Sequence, residues 1–260
     1  MPDSSPIVTL TILPGTTREG KPENFTEITI RPGDTISIVG PTGSGKTALI
    51  NDIEVFAWGD TITRRKILVN GVPPPEDLVR DPAKKPIAMI TQNTKCLADL
   101  TVQEFLAMHL RSRKMKDDSV ITSAVDLANQ FTGEKIVSSM RMSSLSGGQT
   151  RSLFIADAVL ISDTPIILLD EVENAGIFKD RVIDILREKK KAIIFVTHDP
   201  YVALLTKKRI VMKCGAVENI LTPKDEETEA LARIAHMDAD LMKLRERIRS
   251  GEILATLEVA

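Results

Sequence analysis

A glycine-rich stretch between a buried strand and a helix constrains this chain more than any other feature. Residues 40–47 read G-P-T-G-S-G-K-T, after the apolar run 35–39 and before a helical pattern over 48–53. Glycines let backbone N–H groups turn inward around an anion, and a helix that starts at the loop adds the positive end of its dipole. The alternative, a glycine-rich turn before an ordinary helix, is disfavoured because the complete motif stands in its required context.

The side chains of this phosphate loop predict how a nucleoside triphosphate binds. Lys46 supplies a positive charge for the β- and γ-phosphates, and Thr47 a hydroxyl that can ligate Mg²⁺. The predicted nucleotide-binding residues are Gly40, Pro41, Thr42, Gly43, Ser44, Gly45, Lys46 and Thr47.

Composition limits the class of protein. The 260 residues carry a net charge of −2, which argues against a globally basic nucleic-acid surface but leaves a local basic patch open. Cys96 and Cys214 lie far apart without metal-ligand spacing, which fits a reducing cytoplasm. The sequence shows no signal-peptide pattern and no apolar run of the roughly 20 residues that a membrane span needs. We therefore expect no direct membrane insertion.

Apolar runs alternate with helical patterns along most of the chain, which predicts an α/β fold with a mostly parallel sheet. Between about residues 93 and 145 the pattern becomes helical, and Thr101 with Glu104 forms a capping-box signature there. We expect a domain over 1–222 with a helical insert at about 93–145, and a helical extension over 223–260. The predicted strands are 7–13, 25–30, 35–39, 66–69, 87–90, 165–169, 192–196, 210–212 and 217–220, and the main predicted helices are 118–131, 149–161 and 179–188.

The extension contains an amphipathic pattern. Apolar residues recur at spacings of three and four, which is about two heptads and short of the three or four that indicate a coiled coil. A helix docked on its own domain is favoured, and a coiled coil is the alternative. The residues of this pattern are Ile234, Met237, Leu241, Leu244 and Ile248.

Four further motifs follow the phosphate loop in a fixed order. Gln92 follows a predicted strand, residues 145–149 read L-S-G-G-Q, Asp170 and Glu171 end a buried strand, and His198 ends the next. Over about residues 7–222 this order resembles the nucleotide-binding domain of the ATP-binding cassette (ABC) family, which implies a P-loop NTPase fold with a mostly parallel sheet, an antiparallel β part and an inserted helical subdomain.

The resemblance implies a role for each of these residues. Asp170 resembles the carboxylate that holds Mg²⁺ through a water, together with Thr47 and Gln92. Glu171 resembles the catalytic carboxylate that positions the attacking water, and Gln92 the residue that senses the metal and that water. His198 resembles the switch histidine that contacts the γ-phosphate. A solvated charge at a strand end, or a structural histidine, would be the ordinary explanation of each residue taken alone.

The L-S-G-G-Q signature implies a shared site. Ser146, Gly147, Gly148 and Gln149 resemble the turn that contacts ATP held by another subunit. Because this chain has one phosphate loop and one signature, the resemblance implies a head-to-tail homodimer, or a heterodimer with another ABC subunit, formed on ATP binding. It also implies a membrane permease as partner and a location at the inner face of the membrane.

Several positions depart from the pattern of transport members. The first strand lacks the aromatic that often stacks on adenine, and Phe25 is the nearest aromatic. After the signature the chain reads T-R-S, and after Glu171 it reads V-E-N-A-G-I, so Ile177 replaces the usual aspartate. Glu-Asn after the catalytic glutamate is more similar to soluble ABC ATPases of DNA repair and chromosome maintenance.

Two functions therefore remain open. The first is an ATPase subunit that powers a membrane transporter, which the compact size and motif spacing favour. The second is a soluble ABC ATPase that remodels a protein, a cofactor-enzyme complex or a nucleic acid. A non-hydrolysing regulator is disfavoured, because the residues that hydrolysis needs in the family are all present.

Overall fold

The computed structural model describes residues 8–82, 84–91, 94, 96, 99–171, 177–223 and 226–253. The strands are β1 Leu10–Leu13, β2 Ile28–Ile30, β3 Thr35–Val39, β4 Lys66–Val69, β5 Ile87–Ile90, β6 Ile166–Asp170, β7 Ala192–Val196, β8 Lys208–Lys213 and β9 Ala216–Leu221. The helices are α1 Lys46–Glu54, α2 Glu76–Arg80, α3 Val102–Ser112, α4 Ser119–Asn129, α5 Gly147–Leu160, α6 Lys179–Glu188, α7 Pro200–Leu205 and α8 Glu226–Arg249.

The larger sheet has six strands in the order β5-β6-β7-β3-β8-β9. All neighbouring pairs are parallel except β8 with β9. Its central strands β6, β7 and β3 are buried at every position except the last residues of β6 and β3, because both faces of the sheet are covered. In β6, for example, Ile166 and Leu168 pack into one apolar cluster while Ile167 and Leu169 pack into the other.

A second, antiparallel sheet of three strands has the order β2-β1-β4. Its buried residues join α1 and one face of the larger sheet in a single cluster. The mixed architecture confirms the predicted α/β class with an antiparallel part.

Helices α3, α4 and α5 form the helical part, where their apolar faces share a core with the other face of the larger sheet. The predicted capping box is present, because the side chain of Thr101 accepts from the N–H of Glu104 and the Glu104 carboxylate accepts from the N–H of Thr101. The limits of the insert at about 93–145 stay a prediction.

Only the part of α8 up to Asp238 matches the favoured expectation of a docked helix. Two ion pairs hold it: Arg209 to Glu227 at 3.0 Å and Lys179 to Asp238 at 3.2 Å. Its second half presents apolar side chains to solvent.

Some element limits differ from the prediction. The described part of the first strand begins at Leu10 rather than at residue 7, which lies outside the described residues. β2 begins at Ile28 rather than at 25, and α1 begins two residues before the predicted helix, at Lys46. The proline-rich loop after β4 leads directly into α2, for which Pro75 is the N-cap.

No helix within the described residues is both long and apolar enough to cross a membrane.

Candidate functional site

Strand register brings the predicted motifs to one edge of the larger sheet. β7 lies between β3 and β6, and Val196 is in register with Ile38 on one side and Asp170 on the other. Because the three strands are parallel, their carboxyl ends meet at the same edge. The phosphate loop, Glu171 and His198 follow those ends directly.

Two positions of the phosphate loop require glycine, because a side chain there would collide with neighbouring backbone atoms. Gly40 and Gly45 both have positive φ, 149° and 101°. A Cβ at Gly40 would lie 2.3 Å from the carbonyl oxygen of Met212, and one at Gly45 would lie 2.8 Å from Cα of Gly215. The loop is therefore packed against the β8–β9 turn, whose Gly215 N–H donates to the carbonyl of Ser44 at 2.9 Å.

Lys46 folds back over this loop. Its Nζ donates to the carbonyl oxygens of Gly40 and Pro41 at 2.8 and 3.2 Å. Burial lowers the pKa of Lys46 below the ordinary lysine value, while the charges of Glu171 and Asp170 act in the opposite direction. An ammonium held by two neutral carbonyls is available to a more strongly charged acceptor such as a phosphate.

Ser44 adds an unsatisfied polar group to the loop. Its hydroxyl is buried and has no hydrogen-bond partner among the described residues. A buried hydroxyl without a partner is costly, so a polar ligand at the loop would relieve that cost.

Substituting Lys46 by Ala should weaken Mg-ATP binding by about 10- to 100-fold, because a hydrogen bond from a charged group contributes about 1.5–3 kcal/mol. Isothermal titration calorimetry measures this, with exposed Lys21→Ala as the matched control. Equal affinity in Lys46→Ala and the parent protein would remove Lys46 from the binding site.

Glu171 leaves the sheet by a sharp turn. Its φ is 49°, a left-handed conformation that is uncommon for a residue with a side chain, and its N–H donates to the carbonyl of Val196 at 2.9 Å. Its carboxylate oxygen lies 3.7 Å from Nε2 of His198. The turn therefore brings the predicted catalytic carboxylate beside the predicted switch histidine.

The donor set near the loop fits Mg²⁺. Thr47 offers an exposed hydroxyl and Asp170 a partly exposed carboxylate, both oxygen donors of the kind that Mg²⁺ prefers. No cluster of three or more acidic, histidine or cysteine side chains able to hold a metal occurs among the residues described.

The signature turn is the N-terminus of α5. Ser146 is its N-cap, and Gln149 completes a capping box by accepting from the Ser146 N–H at 2.9 Å. The Gln149 side chain also donates to the carbonyl of Lys135 at 3.1 Å, so its amide is used in holding the turn. Gly147 is exposed, whereas Gly148 is buried.

Part of the predicted site lies outside the described residues. Gln92, predicted as a catalytic and metal-binding residue, is one such position, and residues 172–176 after Glu171 are others. Ile177 is described: it is buried in the core of the helical part and bridges to Thr132. Phe25 packs partly against the core that contains α1.

Two arginines that carry no motif also support the phosphate loop. Arg18 donates from Nη2 to the carbonyl of Gly43 at 2.8 Å. Arg65 is fully buried; it pairs with Glu23 and Asp52 and donates to the carbonyl of Gly215 at 3.1 Å. Their partners are distant in sequence, so no local pattern in a single sequence reveals them.

Comparisons with known proteins identify the family of this chain. The family model described as "ABC transporter" matches residues 24–174. An uncharacterized ABC transporter ATP-binding protein of Methanocaldococcus jannaschii is 46% identical over 251 residues, which is 96% of each chain. The chain belongs to the ABC transporter family. It is an ATP-binding ABC ATPase.

More distant relatives align with this chain over only part of their own length. The spermidine/putrescine import ATP-binding protein PotA of Bacteroides fragilis is 30% identical over 78% of this chain but only 44% of its own length. A solved dimeric ATP-binding cassette in a post-hydrolysis state with ADP and Pi has a TM-score of 0.62 and 24% identity, covering 84% of this chain and 99% of that one. The second likeness shows the same fold.

Proposed function

We propose that this ABC ATPase hydrolyses ATP at the sheet edge described above and thereby drives a membrane transporter. The observation that carries the proposal is the convergence of Lys46, Asp170, Glu171 and His198 beside one phosphate loop. These side chains provide a cation for the phosphates, an oxygen ligand for a metal, and a carboxylate next to an imidazole.

Each residue takes one part of the reaction in this proposal. Lys46 exchanges its two backbone carbonyl acceptors for the β- and γ-phosphates, while the loop N–H groups surround them. Glu171 orients the attacking water and accepts its proton, and His198 contacts the γ-phosphate from the end of β7. Thr47 and Asp170, with Gln92, would hold Mg²⁺, which supplies charge stabilisation to the transferring phosphoryl group.

The second half of the site comes from another subunit. The signature turn offers the N-terminus of α5, where free N–H groups and the helix dipole favour an anion. Within the described residues, no hydrogen bond or ion pair joins this turn to the phosphate loop of the same chain. We therefore propose that Ser146, Gly147 and Gly148 contact the γ-phosphate held by a second copy, or by another ABC subunit, when ATP is bound.

Placing arginine at Ser146 should abolish the ATP-dependent dimer, because a long charged side chain would occupy the contact. Sedimentation velocity with and without Mg-ATP measures the association in a Glu171→Gln background that also carries Met237→Glu and Leu241→Glu on the exposed face of α8, so that any dimer formed with ATP depends on the shared site. Ser123→Arg, on an exposed position of α4, introduces the same side chain away from the turn and should leave the dimer intact. An ATP-dependent dimer that survives Ser146→Arg would contradict the shared site.

The transporter partnership has its own test. Purification of the tagged protein from cross-linked membranes of its native host should recover a multi-spanning permease, and adding that permease should stimulate ATP turnover. If the chain is recovered without any membrane protein and its turnover is unchanged by membranes, the transporter role is wrong.

A soluble remodelling ATPase is the second candidate. Ile177 favours it, because transport members usually place an aspartate there, whereas this side chain is buried in the helical part. An apolar, buried residue cannot make the polar contacts of an aspartate across a subunit interface. Recovery of a soluble protein complex whose assembly depends on ATP would support this candidate.

A further inference from the structure

From Met237 onwards, α8 displays apolar side chains that are largely exposed. Met237, Leu241 and Ile248 are 63%, 49% and 60% exposed. Ion pairs from Arg209 to Glu227 and from Lys179 to Asp238 hold the helix on the domain as far as Asp238.

Met237, Leu241 and Ile248 lie on one face at the spacing of a two-stranded coiled coil, whereas Met242, 44% exposed, lies beside that face. Spacings of three and four place Ile234, Leu241 and Ile248 at one core position of the heptad and Met237 and Leu244 at the other. In parallel coiled coils, isoleucine at the first core position with leucine at the second favours two strands. In this apolar stripe, Ile234, Ile248 and Leu244 match this preference, whereas Leu241 and Met237 do not.

The charges beside this stripe are self-complementary. One edge carries Arg233, Asp240 and Arg247, and the other edge carries Asp238, Arg245 and Glu252. In two parallel helices in register, each residue of the first edge faces the residue five positions later in the partner. Within α8 both resulting pairs join opposite charges: Arg233 with the partner's Asp238, and Asp240 with the partner's Arg245. Arg247 has no helical counterpart, because Glu252 lies beyond the end of α8 at Arg249.

We infer that α8 pairs with α8 of a second copy of this chain as a short parallel coiled coil. Existing ion pairs do not prevent it. Asp238 already accepts from Lys179 and Asp240 from Lys243, but an ionised carboxylate has room for further donors. Arg233 already donates to Glu229, and its guanidinium has further N–H groups to donate. Glu252, which follows the helix end, pairs with Arg247 of the same chain and takes no part in the helix pairing. Exposed ion pairs contribute little energy, so the apolar stripe supplies the attraction and the charges set the orientation.

This pairing needs no nucleotide and is separate from the shared ATP site. The residues from 234 to 248 span about 21 Å at the helical rise of 1.5 Å per residue, which is a short pair. Such a pair keeps two nucleotide-binding domains at high effective concentration without locking them together.

Sedimentation of the full chain without nucleotide, at tens of micromolar, tests the pairing. The parent protein should be dimeric, and Met237→Glu with Leu241→Glu should be monomeric because four like charges meet in the apolar stripe of the pair. Ala232→Glu with Ala239→Glu adds the same charges on the opposite, exposed face and should remain dimeric. A monomeric parent protein, or a stripe variant that stays dimeric, overturns the inference.

A cysteine at Ile248 tests the orientation. In a parallel pair the two introduced thiols are adjacent, so mild oxidation should give a disulfide-linked dimer of Ile248→Cys without nucleotide. The parent chain contains Cys96 and Cys214, so its oxidation measures how much cross-linking these two cysteines give by themselves. An antiparallel pair would set residue 248 opposite 237, about 16 Å away from its counterpart. No cross-link in a protein that still sediments as a dimer would show that the parallel arrangement is wrong.

The Ser146→Arg variant separates this inference from the proposed function. It should keep the nucleotide-free dimer while losing the ATP-dependent contact, since its substitution lies at α5 and not at α8. If it becomes monomeric without nucleotide, the association of the parent protein does not depend on α8 alone, and the inference is wrong.

Discussion

Replacing Glu171 by Gln should slow ATP hydrolysis by about 10²- to 10⁴-fold, the range that general base catalysis contributes. The amide has the shape of the carboxylate but cannot accept the proton of the attacking water. Affinity for Mg-ATP should change little, since Lys46 and the phosphate loop are untouched. Single-turnover kinetics measures the chemical step, and calorimetry measures the affinity.

Glu188→Gln serves as the matched control, because this exposed glutamate ends α6 away from the sheet edge. Its turnover should equal that of the parent protein. Parent-like hydrolysis by Glu171→Gln would remove this residue from the catalytic role, whereas a loss of nucleotide binding would assign it to the binding of ATP instead.

Glu171 also illustrates what the sequence alone could not predict. Its place after Asp170 at the end of an apolar strand was enough to predict a carboxylate at the sheet edge. Its left-handed backbone conformation and its 3.7 Å distance to His198 depend on β7 lying between β3 and β6. Strand order is a property of the whole chain, and hydrophobic runs do not encode it locally.

The fold was predicted best where apolar runs have sharp limits. β4, β5, β7 and α6 begin and end at the residues that their patterns indicate. Short elements are harder to predict, because α2 and α7 are only five and six residues long and neither contains two full turns. Asp199 caps α7 by accepting from the N–H groups of Tyr201 and Val202, whereas Pro75 caps α2 without a side-chain hydrogen bond.

No sequence pattern predicts the buried ion-pair network behind the phosphate loop. Arg65 donates from Nε and Nη2 to the Glu23 carboxylate at 2.8 and 2.7 Å, although the two residues are 42 positions apart. The same carboxylate accepts from the N–H groups of Gly15 and Val217. The third charged residue of the network is Asp52, which also pairs with Arg65. None of the three belongs to a motif, and a sequence analysis would ordinarily place them on the surface, since charged side chains are rarely buried unless paired.

Arg65→Met should therefore lower the free energy of unfolding at pH 7.5 by about 3–5 kcal/mol, because it leaves two buried carboxylates without their cation. Methionine retains much of the apolar volume, so the loss reports the charge rather than a cavity. Chemical denaturation of the full chain measures the change. Arg31→Met, at an exposed position, should be nearly neutral.

The pH dependence of this loss identifies its cause. Burial raises the pKa of Glu23, but in the parent protein the hydrogen bonds and charge of Arg65, with the N–H groups of Gly15 and Val217, bring it below its ordinary value of 4.5. The lowered pKa of Glu23 means that its ionised carboxylate stabilises the folded parent protein. This stabilisation is present above pH 4.5 and is lost as the pH falls through the lowered pKa. Without Arg65, burial raises the folded-state pKa, so the ionised carboxylate destabilises the variant most at high pH. The difference in free energy of unfolding between the parent protein and Arg65→Met should therefore become smaller as the pH is lowered from 7.5 towards 5. A difference that stays constant over this range would mean that Arg65 stabilises the fold by packing rather than by its charge.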